Sequence, residues 1–185
     1  RQMPQHYGQK DLRIVTQSSQ TGTQFLQAVG CAMARKKEKT KEVVYVSSGE
    51  GTTSQGDFHE ALNWASNAKA PVIFHIQDNE YAISTHKSEQ TADSVYNMTA
   101  GYKNLSRYDV DGTDFFEANL AFDQAIERAR KGKGPSVIVS NVVRLLPHSS
   151  SDDQKKYRTE KSLKIDKKKD PIRILENQCL ENNIA

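Results

Sequence analysis

The chain has 185 residues, of which 36% are hydrophobic and 26% are charged, a composition typical of one globular domain. Its formal net charge of +3 argues against a dedicated nucleic-acid-binding protein. Without a run of 18 apolar residues, it is not expected to span a membrane. The two cysteines, Cys31 and Cys179, have no C-x-x-C neighbours, which argues against a disulfide framework or a zinc site and favours a reducing compartment.

The first half of the chain predicts two helices that alternate with two strands. Apolar residues at helical spacing predict a first helix, one face of which carries Phe25, Ala28, Val29, Ala32 and Met33. A β-branched run over 43–46 predicts a buried strand that ends at Ser47-Ser48-Gly49. A second helical stripe covers 58–65, and a second apolar strand over 72–76 stops at Gln77-Asp78-Asn79.

The second half repeats this alternation and then becomes polar. A weaker strand is predicted near 105–110, and a third helix over 115–129, where Thr113 or Asp114 can cap the helix and Glu117 completes a capping box. The last core strand is predicted at 137–139, a polar loop follows at 147–153, and a final helix starts near Pro171. The sequence therefore predicts an α/β fold with three α/β/α layers and a mainly parallel sheet.

We expect residues 1–146 to form the core, and residues 147–185 to form a polar loop and a helical extension of the same domain. Because the sequence begins at Arg1 and not at methionine, we interpret it as a truncated or processed chain without a secretion signal. The basic runs, Arg35 to Lys41 and Lys164 to Lys169, are typical of solvated helix ends. A docking surface for an acidic partner is the alternative interpretation.

Ligands of parallel sheets bind beyond the carboxyl ends of the strands, so the loops of interest begin at Ser47, Gln77 and Val142. The first loop contains Gly49, Gly51 and Gly56 and leads into a helix, which favours a bound phosphate. Its third glycine comes too late for a dinucleotide fingerprint, and no Gly-Lys-Ser/Thr follows as in a Walker loop. A tight turn that caps a helix is the alternative.

Glu50 lies between two glycines of this loop, where its carboxylate would be repelled by a phosphate unless a cation lay between them. Magnesium binds oxygen ligands, commonly one or two carboxylates with phosphate and water. Asn79 follows the next predicted strand, so Glu50 and Asn79 would lie side by side if the two strands are neighbours. The sequence thus predicts a magnesium diphosphate site, although Asp78-Asn79 alone is also compatible with an ordinary turn.

These two motifs carry a resemblance to a known family. Gly49-Glu50-Gly51, followed after 26 residues by Asp78-Asn79, resembles the paired motif of thiamine diphosphate enzymes. Further segments resemble the alpha subunit of the decarboxylating component of 2-oxo acid dehydrogenase complexes, most closely the branched-chain type. These segments are 1–8, Ser18-Ser19 with Thr23-Gln24, 79–85 and 148–153. The resemblance implies the thiamine diphosphate-binding fold.

The resemblance implies cofactor-binding roles for the matching residues. Glu50 and Asn79 would bind magnesium through their side chains, and Tyr81 would bind it through its backbone carbonyl. The residues expected to line the diphosphate are Gly49, Gly51 and Thr52. Some residues depart from the family pattern: Asp78 replaces an asparagine, Gln77 an arginine, Gln20 a proline and Pro147 a second histidine. Further diphosphate contacts of the family lie in an N-terminal region that precedes these motifs.

The remaining implied roles concern the rest of the cofactor. Ser19 and Thr21 fall in the segment whose backbone meets the aminopyrimidine ring, and the segment 18–24 resembles a loop that binds a monovalent cation in some relatives. His148 would reach the diphosphate and the reacting centre as a catalytic proton-transfer group. Ser149 matches a position that is phosphorylated for regulation in some relatives.

The implied activity is oxidative decarboxylation of a 2-oxo acid, with a branched-chain substrate favoured and pyruvate or 2-oxoglutarate left open. The cofactor supplies the carbanion chemistry, and the acyl group passes to a lipoyl arm. The implied partners are a beta subunit or fused beta domain and a lipoyl-bearing acyltransferase, in a heterotetramer or a dimer of fused chains. Nucleic acid and membrane are not expected partners. The compartment would be the bacterial cytoplasm or, alternatively, the mitochondrial matrix.

Two other functions are compatible with the sequence. The first is a non-catalytic partner-binding module, which would keep the fold but catalyse no reaction. The second is a different thiamine enzyme, such as one of the transketolase type, which would share the paired motif. The 148–153 loop argues against the transketolase type.

Overall fold

The computed structural model describes residues 6–16 and 18–184. The strands are β1 (Val44–Gly49), β2 (Val72–Asp78), β3 (Tyr81–Ala82), β4 (Thr85–His86), β5 (Ser106–Asp111) and β6 (Ser136–Asn141). The helices are α1 (Thr23–Lys37), α2 (Gly56–Ala68), α3 (Lys87–Gln90), α4 (Val95–Met98), α5 (Phe115–Arg130), α6 (Glu160–Lys168) and α7 (Pro171–Glu181). Two 3₁₀ turns cover Glu50–Ser54 and Gln154–Lys156.

Four strands form a parallel sheet in the order β1-β2-β6-β5, and β3 pairs with β4 in a small antiparallel ribbon. Helices α1 and α2 pack together on one face of the large sheet, whereas α5 covers β2, β5 and β6 on the other face. This arrangement confirms the predicted three-layer architecture with a parallel sheet. It follows from the alternation of strands and helices, because successive parallel strands need a crossover connection.

The larger core cluster lies between the sheet and the α1–α2 pair. Phe25, Phe58 and Phe74 are fully buried there, and the ring of Phe25 lies 5.0 Å from that of Phe58 and 6.0 Å from that of Phe74. The smaller cluster, under α5, contains Ile73 and Ile138. Burying side chains of this size contributes roughly 1.5–3 kcal/mol each, which fixes the helices on the sheet and hence the strand ends at one edge.

Several predicted boundaries differ from the observed ones. β1 continues through Ser47 and Ser48 to Gly49, so the first loop begins at Glu50 and not at Ser47. Asp114 is the N-cap of α5 and accepts hydrogen bonds from the backbone of Phe116 and Glu117. The predicted capping box is nevertheless wrong, because the carboxylate of Glu117 accepts from the backbone N–H of Asp111 and not from the cap residue.

The segment after β6 differs most from prediction. The predicted helix at Pro171 is confirmed as α7, but α6 was not predicted. Among the described residues, the buried hydrophobic side chains all lie between Phe25 and Val139. Beyond β6, the buried residue among those described is a charged one, Arg158, at 6% exposure. Within the described part of the chain, every helix is too short or too polar to cross a membrane.

Candidate cofactor-binding site

The carboxyl ends of β1, β2 and β6 lie side by side at one edge of the sheet. Gly49 is paired with Gln77 across β1 and β2, and Asp78 is paired with Asn141 across β2 and β6. The backbone N–H of Val142 donates to the carbonyl of Asp78 at 2.8 Å, which ties the third loop to the second. The register therefore brings the three predicted loops together, with the Asn79 loop in the middle.

Glu50 opens the 3₁₀ turn after β1, and its side chain is buried at 2% exposure. Its Oε2 accepts a hydrogen bond from the backbone N–H of Asn79 at 3.2 Å, whereas its Oε1 has no hydrogen-bond partner among the described residues. Thr53 closes the turn by donating from Oγ1 to the carbonyl of Glu50 at 2.7 Å. Burial raises the pKa of the Glu50 carboxyl, and the negative charge of Asp78 raises it further.

Asp78, in contrast, is fully partnered by protein groups. One of its oxygens accepts from the backbone N–H of Glu80 at 2.9 Å, and the other lies 3.1 Å from Nζ of Lys87. Partial burial opposes the charge on Lys87, but the hydrogen bond and the attraction to Asp78 outweigh it and raise the pKa of Lys87. Both oxygens of the Asp78 carboxylate thus have protein partners, and the unpartnered oxygen of Glu50 is the one left for a cation.

Asn79 and Tyr81 form the turn beside Glu50. The side-chain oxygen of Asn79 accepts from the backbone N–H of Tyr81 at 3.3 Å, which orients the amide and leaves a second lone pair on that oxygen. Tyr81 begins β3, and its ring packs edge-on against His86 at 5.1 Å. Glu50 and Asn79 are therefore adjacent, and the backbone of Tyr81 follows two residues later.

The two glycines of the first motif play different physical roles. A Cβ on Gly51 would lie 2.6 Å from the Cβ of Ala82, so the turn needs a glycine there to pack against β3. A Cβ on Gly49 would have its nearest neighbour, the carbonyl oxygen of Gln77, at 3.9 Å. Space thus remains open over Gly49, whereas at Gly51 the side on which a Cβ would lie is filled by Ala82. Thr52, in the same turn, is buried.

The segment 18–24 lies against this turn. Gly22 has a φ of +100°, and a Cβ there would come within 2.9 Å of the Cβ of Gln55 and 3.7 Å of the methyl carbon of Thr52. The Ser18 and Thr23 hydroxyls are hydrogen bonded to each other. Ser19 and Thr21 are exposed; the hydroxyl of Ser19 lies 3.2 Å from Nε2 of His6. Residues 1–5 of the N-terminal motif, and Gln17, lie outside the described residues.

His148 lies in an exposed loop, where its backbone N–H donates to the carboxylate of Asp152 at 2.9 Å. The same carboxylate oxygen accepts from the hydroxyl of Tyr157 at 2.7 Å. These two hydrogen bonds, that of Tyr157 first, lower the pKa of Asp152. Ser149, also exposed, lies beside Ser151 with 3.1 Å between the hydroxyl oxygens. The described contacts of His148 thus connect it to Tyr157 and not directly to Glu50 or Asn79.

Sequence reasoning missed a cluster that joins the His148 loop to the Tyr81 turn. Arg144 donates to the Tyr157 hydroxyl at 2.6 Å and to the carbonyl of Ile83 at 2.8 Å. The guanidinium of Arg158 lies 5.0 Å from the ring centre of Tyr81 and donates to the carbonyl of Arg144 at 3.0 Å. The sequence feature that could have indicated this cluster is the presence of Arg144, Tyr157 and Arg158 close to the 148–153 motif, in an otherwise solvated segment.

The fold is that of thiamine diphosphate-dependent enzymes. Transketolase from Leishmania mexicana superposes with a TM-score of 0.58 at 21% identity, over 70% of this chain and 21% of that one. A Mycobacterium smegmatis protein described as a thiamin diphosphate-dependent enzyme gives 0.53 at 22% identity, over 71% and 24%. At these identities the likeness establishes the fold alone.

The chain belongs to the dehydrogenase E1 component family, whose model matches residues 1–185. It is 44% identical to the 2-oxoisovalerate dehydrogenase subunit alpha of Bacillus subtilis over 93% of its length. It is 40% identical to the mitochondrial human counterpart over 97% of its length, and to the pyruvate dehydrogenase E1 component subunit alpha of Staphylococcus aureus over 87%. The chain spans 52%, 41% and 45% of these relatives, respectively.

Proposed function

We propose that this chain is the magnesium- and thiamine diphosphate-binding part of a 2-oxo acid dehydrogenase, and that it acts with a beta subunit or a fused beta domain. The observation that supports this most directly is the buried, unpartnered Oε1 of Glu50 beside Asn79. Such an oxygen costs free energy unless a cation or donor binds it. A cation brought by a diphosphate would supply the missing partner.

The donor set fits magnesium. Glu50 offers a carboxylate oxygen, Asn79 an amide oxygen and Tyr81 a backbone carbonyl, and magnesium completes such sets with phosphate oxygens and water. Among the described residues, no group of three His, Cys, Asp or Glu side chains could hold a metal by itself. That is consistent with an ion held by one carboxylate and a ligand phosphate and not by an all-protein cage. We also propose a monovalent cation beside the segment 18–24, where the hydroxyls of Ser18 and Thr23 are hydrogen bonded to each other.

The surroundings fit a diphosphate. The space over Gly49 admits a ligand close to the backbone, and the turn through Gly51 and Thr52 leads into α2, whose first N–H groups favour an anion. We propose that these three residues line the diphosphate. Ser19 and Thr21 lie in the segment that Gly22 holds against the turn, and we assign their backbone to the aminopyrimidine side of the cofactor.

When bound, thiamine diphosphate would supply a carbanion for addition to a 2-oxo group and a positively charged ring that accepts the electron pair left by departing carbon dioxide. In the complete reaction the carboxylate leaves as carbon dioxide and the remaining fragment is oxidised to an acyl group. The lipoyl disulfide is reduced: one sulfur takes the acyl group and the other becomes a thiol. This chain would bind and orient the cofactor, and His148 would move a proton at the reacting centre.

The substrate we favour is a branched-chain 2-oxo acid, in line with the Bacillus subtilis and human relatives. The Staphylococcus aureus relative supports pyruvate as the second candidate. The proposed partners are a beta chain, in a heterotetramer or a dimer of fused chains, and a lipoyl-bearing acyltransferase. Since relatives occur in bacteria and in mitochondria, we propose the bacterial cytoplasm or the mitochondrial matrix as the compartment.

Thermal melts with and without thiamine diphosphate and magnesium test the site. Ligand at about 100 times its Kd should add about 2.7 kcal/mol, roughly 5–10 °C for a domain of this size. The shift should require magnesium and should disappear in Glu50→Gln, while the exposed control Glu60→Gln keeps it. A shift that survives in Glu50→Gln would refute the metal assignment.

Assembly with a beta partner tests the activity. Decarboxylation of 2-oxoisovalerate, pyruvate and 2-oxoglutarate, followed with an artificial electron acceptor, should rank the substrates. Cofactor binding without turnover of any 2-oxo acid would favour the non-catalytic module. Turnover of ketose phosphates instead would favour a transketolase-type enzyme.

A further inference from the structure

One face of α6 presents three lysines that form no salt bridge with a described acidic group. Lys161, Lys164 and Lys168 recur at helical spacing and are all exposed, and the preceding 3₁₀ turn adds Lys155 and Lys156. Within residues 6–16 and 18–184, none of these five lysines forms a salt bridge. We call them the lysine face.

The nearby acidic groups do not cancel this charge. Asp166, on the same helix, forms an ion pair with the buried Arg158, so its carboxylate is turned towards the protein. Glu160, the other acidic residue of α6, lies one turn before Lys164 on the same side of the helix, but it forms no salt bridge with a described residue. Ile165 lies among the lysines with 47% of its surface exposed. A small apolar centre within a charged rim is the usual anatomy of a protein–protein contact.

The lysine face is fixed beside the candidate site. Arg158, immediately before the N-cap of α6, packs over the ring of Tyr81, and Tyr157 packs against the same ring with 5.8 Å between ring centres. Tyr157 also holds the Asp152 carboxylate that anchors the His148 loop. Anything that docks on α6 would therefore lie next to that loop.

We propose that the lysine face docks an acidic surface of the protein domain that presents the acyl acceptor. The inference rests on the proposed function, which requires a second protein to bring its acceptor to the site. Charge complementarity of this kind mainly accelerates the encounter and selects the partner. A membrane would need a broader apolar stripe than Ile165 and Leu163 provide, and single-stranded nucleic acid would need aromatic side chains for stacking.

The test uses the assembled alpha–beta enzyme and a lipoyl domain with an acidic surface as the probe. Binding is measured by titration calorimetry at 20 and 200 mM salt. The triple variant Lys161→Glu, Lys164→Glu, Lys168→Glu should raise the Kd at least about tenfold at the lower salt concentration, equivalent to about 1.4 kcal/mol. The salt dependence of the parent should be largely lost.

Two further variants test whether a change in Kd comes from added repulsion or from net charge. The glutamine triple at the same positions removes charge without adding repulsion and should give a smaller loss in the same direction. A matched triple reversal at Lys37, Lys39 and Lys41, where the chain passes from α1 to β1 at the opposite edge of the sheet, should leave the Kd unchanged. If the charge reversals on α6 and at Lys37, Lys39 and Lys41 weakened binding equally, the proposal would be overturned, because the loss of affinity would then reflect net charge alone.

Kinetics separate this proposal from the proposed function. Decarboxylation with an artificial acceptor, and acyl transfer to free lipoamide, should be unchanged in the α6 variants, while the KM for the lipoyl domain rises. If no 2-oxo acid is turned over, the proposed function is refuted. The Kd measured for the lipoyl domain then still tests whether that domain docks on the lysine face. An unchanged Kd and KM for the domain, with lost binding to an RNA oligonucleotide or to anionic vesicles, would overturn the docking proposal.

Discussion

Replacing Glu50 with glutamine should stabilise the chain when cofactor and metal are absent. The carboxylate is 2% exposed, one of its oxygens has no hydrogen-bond partner among the described residues, and Asp78 adds repulsion. Leaving a buried neutral polar group unsatisfied costs about 1–3 kcal/mol, and leaving a buried charged group unsatisfied costs more. Glutamine keeps an oxygen that can accept from the backbone of Asn79 and removes the charge, so we expect a gain of about 1–2 kcal/mol. For a domain of this size that corresponds to roughly 2–8 °C in Tm.

The gain should depend on pH in a defined direction. Burial raises the pKa of Glu50 above 4.5, its ordinary value, so the folded state holds the proton more tightly than the unfolded state. Below pH 4.5 the Glu50 carboxyl of the parent protein is protonated, so the cost of burying its charge is absent. The parent then loses stability as the pH rises through the pKa of Glu50 in the folded state. The difference between Glu50→Gln and the parent should be small near pH 4.5 and reach its plateau once the carboxyl is fully ionised.

Urea denaturation in a chelating buffer, at several pH values from 4.5 to 8, measures this difference directly. Glu60→Gln is the control, because the same chemical change at an exposed position of α2 should alter stability by less than about 0.5 kcal/mol. A Glu50→Gln protein that is no more stable than the parent at pH 8 would refute the reasoning. So would a gain that does not vary with pH, since it could not arise from ionisation.

Three further predictions concern other parts of the fold. Burial lowers the pKa of His75, so the parent should lose stability as the pH falls through 6.5, and His75→Gln should flatten that loss in urea titrations. Gly51→Ala should lower the free energy of unfolding by about 1–3 kcal/mol, because the added methyl group overpacks the turn. Gly49→Ala should leave the melting temperature of the cofactor-free chain nearly unchanged, but it should reduce the rise in melting temperature that the cofactor produces. Asp166→Asn removes the carboxylate partner of the buried Arg158 and should cost about 3 kcal/mol, measured by chemical denaturation. A loss below about 0.5 kcal/mol would mean that the other acceptors, namely the Arg144 carbonyl and the side chains of Gln154 and Ser162, satisfy the guanidinium without it.

The sheet and the adjacency of Glu50 and Asn79 could be predicted from the sequence because each depends on a strong local pattern. Apolar β-branched runs specify buried parallel strands, and turn residues mark their ends. The predicted interpretation of His75 as a histidine satisfied by protein groups is confirmed, since its ring lies 2.8 Å from the Tyr45 hydroxyl and 3.0 Å from that of Ser140. Its predicted place in the core is not, because the residue is only half-buried.

The C-terminal segment could not be predicted equally well. α6 has only two apolar residues, Leu163 and Ile165, so hydrophobic periodicity gives no signal. Its local signal is the cap at Thr159, whose hydroxyl accepts from the backbone N–H of Ser162 at 3.1 Å. Arg158 is buried by its ion pair with Asp166 and by the ring of Tyr81, 77 positions earlier in the chain. Such distant polar contacts have no sequence period from which they can be read.

The parallel register between β1 and β2 has a consequence for how this family can vary. Glu50 follows Gly49 by one residue and Asn79 follows Gln77 by two, and Gly49 and Gln77 are partners in the sheet. The separation of the two side chains is therefore set by backbone pairing and not by the length of the chain that connects them. Residues can be gained or lost between α2 and β2 without moving the pair, whereas one residue removed from within β1 would shift Glu50 out of place. The number of residues between the two parts of the motif can thus change during evolution while Glu50 and Asn79 stay adjacent in the structure.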